Sequence, residues 1–262
     1  MKEQIFQVDA FTNKPFAGNP AGVVLLASEK SDGWMRSFAR EMNLSETAFL
    51  LKSGDGYYLR WFTPKVEVSL CGHATLASGH VLFTEAMVPE NDTILFSSAS
   101  GVLKARFEKG WIEMDFPAFE VKPVSSTPQI DQAIGFSPKE IFESDVNLLA
   151  ELDSFDAVRD YQPDFLEISQ LPYQGLIITS RMQSGFDFAS RYFAPRAGIN
   201  EDPVTGSAHC SLAPYWAEKL GKSEFSACQA SERTGELKVK LENGRVLIQG
   251  QAVTIFKGEL EI

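Results

Sequence analysis

Asn200-Glu201-Asp202-Pro203-Val204-Thr205-Gly206-Ser207-Ala208-His209-Cys210-Ser211 decides the reading of this chain, because a weakened copy stands earlier as Ser69-Leu70-Cys71-Gly72-His73-Ala74-Thr75-Leu76-Ala77. Each copy follows an aromatic, strand-like approach that ends in proline, Arg60-Trp61-Phe62-Thr63-Pro64 in one case and Arg191-Tyr192-Phe193-Ala194-Pro195 in the other. One interval separates Cys71 from Thr205, Gly101 from Gly235 and Gly110 from Gly244. Around those glycines, Ser100-Gly101-Val102-Leu103-Lys104 recurs as Thr234-Gly235-Glu236-Leu237-Lys238, and Glu108-Lys109-Gly110 as Glu242-Asn243-Gly244. A repeat this long in two copies argues for two similar half-molecules and against a solenoid. The proline-spotted stretch 117–128 is the expected junction, giving halves 1–119 and 120–262, with the last strand able to cross back to the first half.

The 262 residues suffice for one large domain or two ordinary ones, and 44% hydrophobic and 11% aromatic residues describe a globular protein with well-filled cores. A net charge of −11 disfavours a nucleic-acid surface, which needs clustered Lys and Arg against phosphates. It leaves room for a small anion held by backbone N–H groups at helix starts. Three cysteines, Cys71, Cys210 and Cys228, show neither C-x-x-C nor zinc-type spacing, so neither a disulfide framework nor a structural metal is expected. The opening residues lack an apolar signal core and no run is long enough to span a bilayer, so a cytoplasmic chain with no membrane partner is expected.

Residues 5–11 alternate as a strand, and the Gly18-Asn19-Pro20 turn leads to a second one at 22–26. Trp34, Met35, Phe38, Ala39 and Met42 recur at helical spacing behind Ser31 and Asp32, both able to cap. A buried strand at 47–51 with Glu46 at its entrance, a Gly54-Asp55-Gly56 turn and a strand at 57–62 lead to the first motif, whose helix should run to about Ala86. Strands are expected at 94–116, at 176–179 and from 235 to 261, and a helix from the second motif through Leu220. Residues 138–168 mix strand and short helical signals that pattern alone does not resolve.

In both motif cores, Cys71-Gly72-His73-Ala74 and Thr205-Gly206-Ser207-Ala208, small residues stand where a loop becomes a helix. The N–H groups of Gly72, His73, Gly206 and Ser207 then fall among the unpaired donors of a first turn, and glycine lets a ligand approach. Two such starts facing one cleft would hold a carboxylate; plain helix capping is the competing reading. Glu46, beside apolar residues, would have its pKa raised by desolvation and serve as a general base, unless it is an ordinary surface glutamate. Asp202, before Pro203, reads as a second acid or as a favourable charge at a helix start. His73 is placed to bond a substrate or shuttle a proton, and Cys71 is a nucleophile candidate or a small buried filler. His80 stands seven residues after His73, which is not the helical spacing of a zinc pair, so no metal site is expected. Ser207 has Thr205 and His209 two residues either side, so it is not the elbow of a serine hydrolase.

At these residues the chain resembles the phenazine-biosynthesis isomerase family, the PhzF-like proteins of the diaminopimelate epimerase fold. The resemblance is carried by Asp9-Ala10-Phe11, Gly18-Asn19-Pro20, Asn43-Leu44-Ser45-Glu46-Thr47, Cys71-Gly72-His73-Ala74-Thr75 and Glu201-Asp202-Pro203-Val204-Thr205-Gly206-Ser207-Ala208. It implies an α+β fold of two pseudo-symmetric half-domains, each a mixed, mainly antiparallel sheet around a central helix, and a homodimer. It also implies a cofactor-free isomerase in which Glu46 moves a proton between carbons of a small carboxylate-bearing substrate. His73, Asp202 and Ser207 would orient that substrate and the backbone at Gly72 and Gly206 would hold its carboxylate, with Asn19, Cys71 and Thr205 completing the contacts. Epimerases of this fold use one cysteine from each half; the pair here is Cys71 and Thr205, which disfavours two-base racemisation. An amino-acid epimerase and a non-catalytic binder of small carboxylates are the alternatives.

Overall fold

The computed structural model describes residues 2–136, 138 and 140–261. Its contacts divide the chain into two units, Met1–Phe116 with Ile248–Ile262, and Pro117–Leu247. The segment Ile248–Ile262 thus groups with the first unit.

The first unit runs β1 (Gln4–Ala10), β2 (Asn19–Leu26), α1 (Asp32–Met42), β3 (Glu46–Ser53), β4 (Gly56–Phe62), β5 (Glu67–Val68), α2 (Gly72–Thr84), β6 (Thr93–Ser98), β7 (Gly101–Glu108) and β8 (Trp111–Pro117). β1–β2 is antiparallel, β2–β3 parallel, β3–β4 and β4–β5 antiparallel, β4–β6 parallel, and β6–β7 and β7–β8 antiparallel. The C-terminal strand Ala252–Glu259 pairs antiparallel with the free edge of β1.

This sheet curls around α2, ten of whose residues, from His73 to Phe83, are buried. Because strand side chains alternate between faces, Glu46, Ala48 and Leu50 share the helix side of β3, while Phe49 turns outward onto α1. There Phe49 joins Ile5, Val24, Met35, Phe38, Ala39 and Phe62. Full burial of a side chain such as Phe49 contributes about 1.5–3 kcal/mol. Gly250 has no side chain for a steric reason: a Cβ there would overlap Leu76 of α2 and the Phe11 ring.

The second unit runs β9 (Val121–Pro123), α3 (Pro128–Ile134), β10 (Glu140–Ser144), β11 (Asn147–Glu151), α4 (Phe155–Asp160), α5 (Phe165–Gln170), β12 (Gly175–Arg181), β13 (Phe188–Ala194), β14 (Ile199–Asp202), α6 (Gly206–Leu220), β15 (Glu224–Gln229), β16 (Gly235–Glu242) and β17 (Arg245–Gly250). From β10 onward its pairings repeat those of the first unit in order. They are antiparallel β10–β11, parallel β11–β12, antiparallel β12–β13 and β13–β14, parallel β13–β15 and antiparallel β15–β16. α6 takes the central place of α2, with Trp216 stacked on Phe188 at 5.6 Å between ring centroids. Pro214 inside this helix lacks an N–H for the Cys210 carbonyl. That carbonyl accepts instead from Phe119 N at 3.0 Å. Short helices α3, α4 and α5, unresolved by pattern, cover the outer sheet face through Ile130, Ile134, Val158 and Ile168.

Both units therefore have the mixed α+β architecture expected, and the turns agree in detail. Lys109-Gly110 and Asn243-Gly244 all have positive φ, between 50° and 83°, as a tight two-residue hairpin loop requires. Among the described residues no helix is long and apolar enough to cross a membrane.

Candidate active site

Each unit carries half of the candidate residues. In the first, α1 ends at Asn43 in the left-handed conformation, φ 51°, which lets the chain reverse into β3 within two residues. β3 opens on Glu46, whose register partner on β2 is Ala21. α2 starts at Gly72, with Cys71 as its N-cap residue. These two starts bring Glu46, Cys71 and His73 together, all their ligating atoms lying within 4.8 Å of one another. His73 Nε2 is 3.3 Å from Glu46 Oε2, and the Cys71 sulfur is 3.6 Å from His73 Nδ1 and 4.0 Å from Nε2. All three residues are at least nine-tenths buried. Burial pushes the His73 pKa down to about 3, so the imidazole is neutral at pH 7 and can donate from one nitrogen while the other accepts. Asn19, fully buried, accepts from the Ser45 hydroxyl at 3.4 Å next to Glu46. Asp9 accepts from Phe16 N at 2.8 Å and so fixes the loop that delivers Asn19.

In the second unit β14 ends on Asp202 and α6 starts at Gly206, with Thr205 as its N-cap residue. The Thr205 hydroxyl donates to Asp202 Oδ2 at 2.6 Å. Gln229, on β15 and wholly buried, accepts from Thr205 N at 2.8 Å and donates to the Asp202 carbonyl at 2.8 Å and to Thr205 Oγ1 at 3.1 Å. Ser207 is exposed in the first turn of α6. His80, by contrast, bonds the Thr254 hydroxyl at 3.0 Å on the C-terminal strand.

The two central helices differ from the others at their starts. Ser31, Thr127, Ser154 and Asp164 each accept a first-turn N–H of α1, α3, α4 and α5 through the side chain. Cys71 and Thr205 make no such side-chain cap at α2 and α6. The carbonyls of these two residues are instead met by the side chain four residues on, Thr75 Oγ1 at 2.5 Å and His209 Nδ1 at 2.9 Å. First-turn N–H groups without a side-chain cap, at the positive end of a helix, attract a carboxylate.

Sequence reading missed Gln229. Its signal was weak: a polar residue at the end of a strand whose alternate positions, Phe225 and Ala227, are buried. It also missed the relation of Tyr192 to Gly175. Tyr192 donates to Asn147 Oδ1 at 3.0 Å, and its ring comes within 2.6 Å of where a Gly175 Cβ would lie.

This two-unit α+β scaffold is found in known proteins. The model of the phenazine biosynthesis-like protein family matches residues 8–258. An uncharacterized isomerase of Halalkalibacterium halodurans is 48% identical, over 99% of each chain. A crystal structure of a phenazine biosynthesis protein of the PhzF family from Enterococcus faecalis superposes with a TM-score of 0.96 at 40% identity, covering all of both chains. A predicted epimerase of Pseudomonas aeruginosa, 22% identical and covering 99% of each chain, shares the fold with a TM-score of 0.79. This chain belongs to the phenazine biosynthesis-like family and has the epimerase fold.

Proposed function

We propose that this chain is an isomerase that moves a proton between carbons of a small carboxylate-bearing substrate by general acid/base catalysis. Glu46 takes the proton from one carbon and returns it to another. Neutral His73, 3.3 Å away, orients that carboxylate by hydrogen bonding as its charge changes. The first-turn N–H groups at Gly72 and His73 and at Gly206 and Ser207 bind the substrate carboxylate and stabilise the charge that develops when the C–H bond breaks. Asp202, braced by Thr205, and Ser207 orient the same substrate. Asn19, Cys71 and Thr205 complete the contacts.

The observation that carries this reading is the buried carboxylate of Glu46 held against a buried neutral imidazole at the uncapped start of α2. A C–H proton is removed slowly unless a base and a preorganised set of donors meet it together, and this arrangement offers both. Thr205, standing where a second cysteine would be needed, weighs against two-base racemisation.

Proton NMR in deuterated water with a panel of small carboxylates, dihydro-hydroxyanthranilate and several amino acids among them, tests the proposal beside a Glu46→Gln control. Deuterium entering at a carbon position, and failing to enter in the control, is the expected result. Equal exchange in both proteins would remove Glu46 from the role of base. Binding without exchange across the panel would favour a carboxylate-binding protein.

A further inference from the structure

We infer that Glu46, Cys71 and His73 also form a binding site for a thiophilic divalent cation, zinc above all. The three offer one carboxylate oxygen, one sulfur and one imidazole nitrogen within 4.8 Å of one another. Tetrahedral zinc, with bonds of about 2.0–2.3 Å, sets nitrogen and oxygen donors about 3.3 Å apart and sulfur about 3.5 Å from either. Here the nitrogen–oxygen separation is 3.3 Å at Nε2, while the sulfur stands 3.6 Å from Nδ1 and 4.0 Å from Nε2, so turning the Cys71 side chain from the Nδ1 edge of the ring toward Nε2 completes the set. The fourth position is left for water or another small ligand, as in open zinc sites.

The donor chemistry narrows the cation. A thiolate and an imidazole suit zinc and its neighbours in the first row, and suit magnesium and calcium poorly. The charge closes as well: a thiolate, a carboxylate and a neutral imidazole balance a doubly charged ion, which a buried site requires. Binding releases the thiol proton to solvent, and no other bond forms or breaks than those to the metal. The sequence hid this site because its ligands do not follow a metal motif. Cys71 and His73 stand two residues apart across a helix start, and Glu46 comes from the strand beside them.

The inference stands on the geometry of three side chains and is independent of the isomerase reading. If that reading holds as well, zinc occupies the Glu46 carboxylate and becomes a reversible inhibitor of C–H exchange, relieved by a chelator.

The test uses the purified full chain and cobalt(II), a coloured stand-in for zinc. Cobalt is expected to give a near-ultraviolet thiolate-to-metal charge-transfer band that one equivalent of zinc removes. Cys71→Ser should abolish the band. Glu46→Gln and His73→Gln should weaken zinc binding by more than about 100-fold in a chelator competition, since loss of an outer-shell partner alone weakens metal affinity about 10–100-fold. Cys228→Ser, outside the cluster, should leave the band unchanged, and circular dichroism of each variant separates lost ligation from lost folding. The inference is overturned if folded wild-type protein gives no band. It is equally overturned if the band survives Cys71→Ser, or if the Glu46 and His73 variants bind zinc as the wild type does. None of these readouts involves turnover, so failure here and failure of the isomerase reading are distinguished.

Discussion

The two units share strand pairings, a buried central helix and a start of that helix without a side-chain cap, yet they differ where β3 and β12 begin. Thr47 pairs with Phe62 in the first unit, and Leu176 pairs with Phe193 in the second. The matching Arg60-Trp61-Phe62 and Arg191-Tyr192-Phe193 segments then set Glu46 against Gly175. Where the first unit has a carboxylate, the second has no side chain, and the Tyr192 ring fills the space, bonded to Asn147. At the helix starts the repeat sets Cys71 against Thr205 and His73 against Ser207. A duplicated scaffold supplies two helix starts without a side-chain cap. In the proposed reaction the difference between halves gives one the base and the other a set of binding groups.

The comparison breaks first at Glu46. Glu46→Gln keeps the shape and removes the base, so the rate of C–H exchange should fall by about a thousandfold, within the usual range for a positioned general base. Circular dichroism and thermal melting should show the fold retained. Loss of the fold, or exchange within tenfold of the wild type, would break the assignment.

The converse change acts at Gly175. Even Gly175→Ala sets a Cβ within 2.6 Å of the Tyr192 ring, and overpacking a full core costs about 1–3 kcal/mol. Denaturant midpoints should show that loss. Tyr192→Ala, destabilising by itself, should cancel the added cost in the double variant, because the two positions contend for one space. Additive losses would mean that Tyr192 is not what keeps position 175 small.

A smaller effect is expected at Gln229. Gln229→Leu leaves Thr205 N and the Asp202 carbonyl without the bonds now at 2.8 Å each, which should reduce stability by about 1–3 kcal/mol. Because Gln229 positions Asp202 and does not touch substrate in the proposed reaction, the exchange assay should show KM raised more than kcat lowered. An unchanged KM would limit Gln229 to packing.

Much of this asymmetry was unreadable in the sequence for a physical reason. The repeat was legible where backbone geometry demands a residue type, as at the Gly110 and Gly244 turns, because such demands are local. Glu46 and Asp202 were legible as candidates because Glu46 stands at the entrance of a buried strand and Asp202 precedes a proline in the repeated motif. Gln229 and the Gly175–Tyr192 pair were not, since their meaning comes from strands paired across dozens of residues. Helices α3 to α5 escaped because each has only six or seven residues, too few for the helical period to show. The C-terminal strand was expected as a strand, but its register on β1 was not legible, because that partner lies at the other end of the chain.

The smallest effect sharpens the comparison inside the helices. His209 occupies in α6 the place of Thr75 in α2, and each bonds back to its N-cap carbonyl. Burial pushes the His209 pKa down to about 4, against the opposing influence of the Thr205 carbonyl bond. The folded protein therefore binds fewer protons than the unfolded chain between pH 6.5 and 4, and the penalty for keeping His209 neutral grows as pH falls through that window. His209→Thr, which imports the first unit's solution, removes this penalty. At pH 6 it should recover about 0.8 kcal/mol relative to its own effect at pH 8, rising by about 1 kcal/mol for each further pH unit toward 4. Paired denaturation curves at the two pH values measure this directly, with the fixed packing change cancelling between them. If the difference between wild type and variant does not change with pH, His209 binds its proton as readily in the folded protein as in the unfolded chain, and no penalty for keeping it neutral exists.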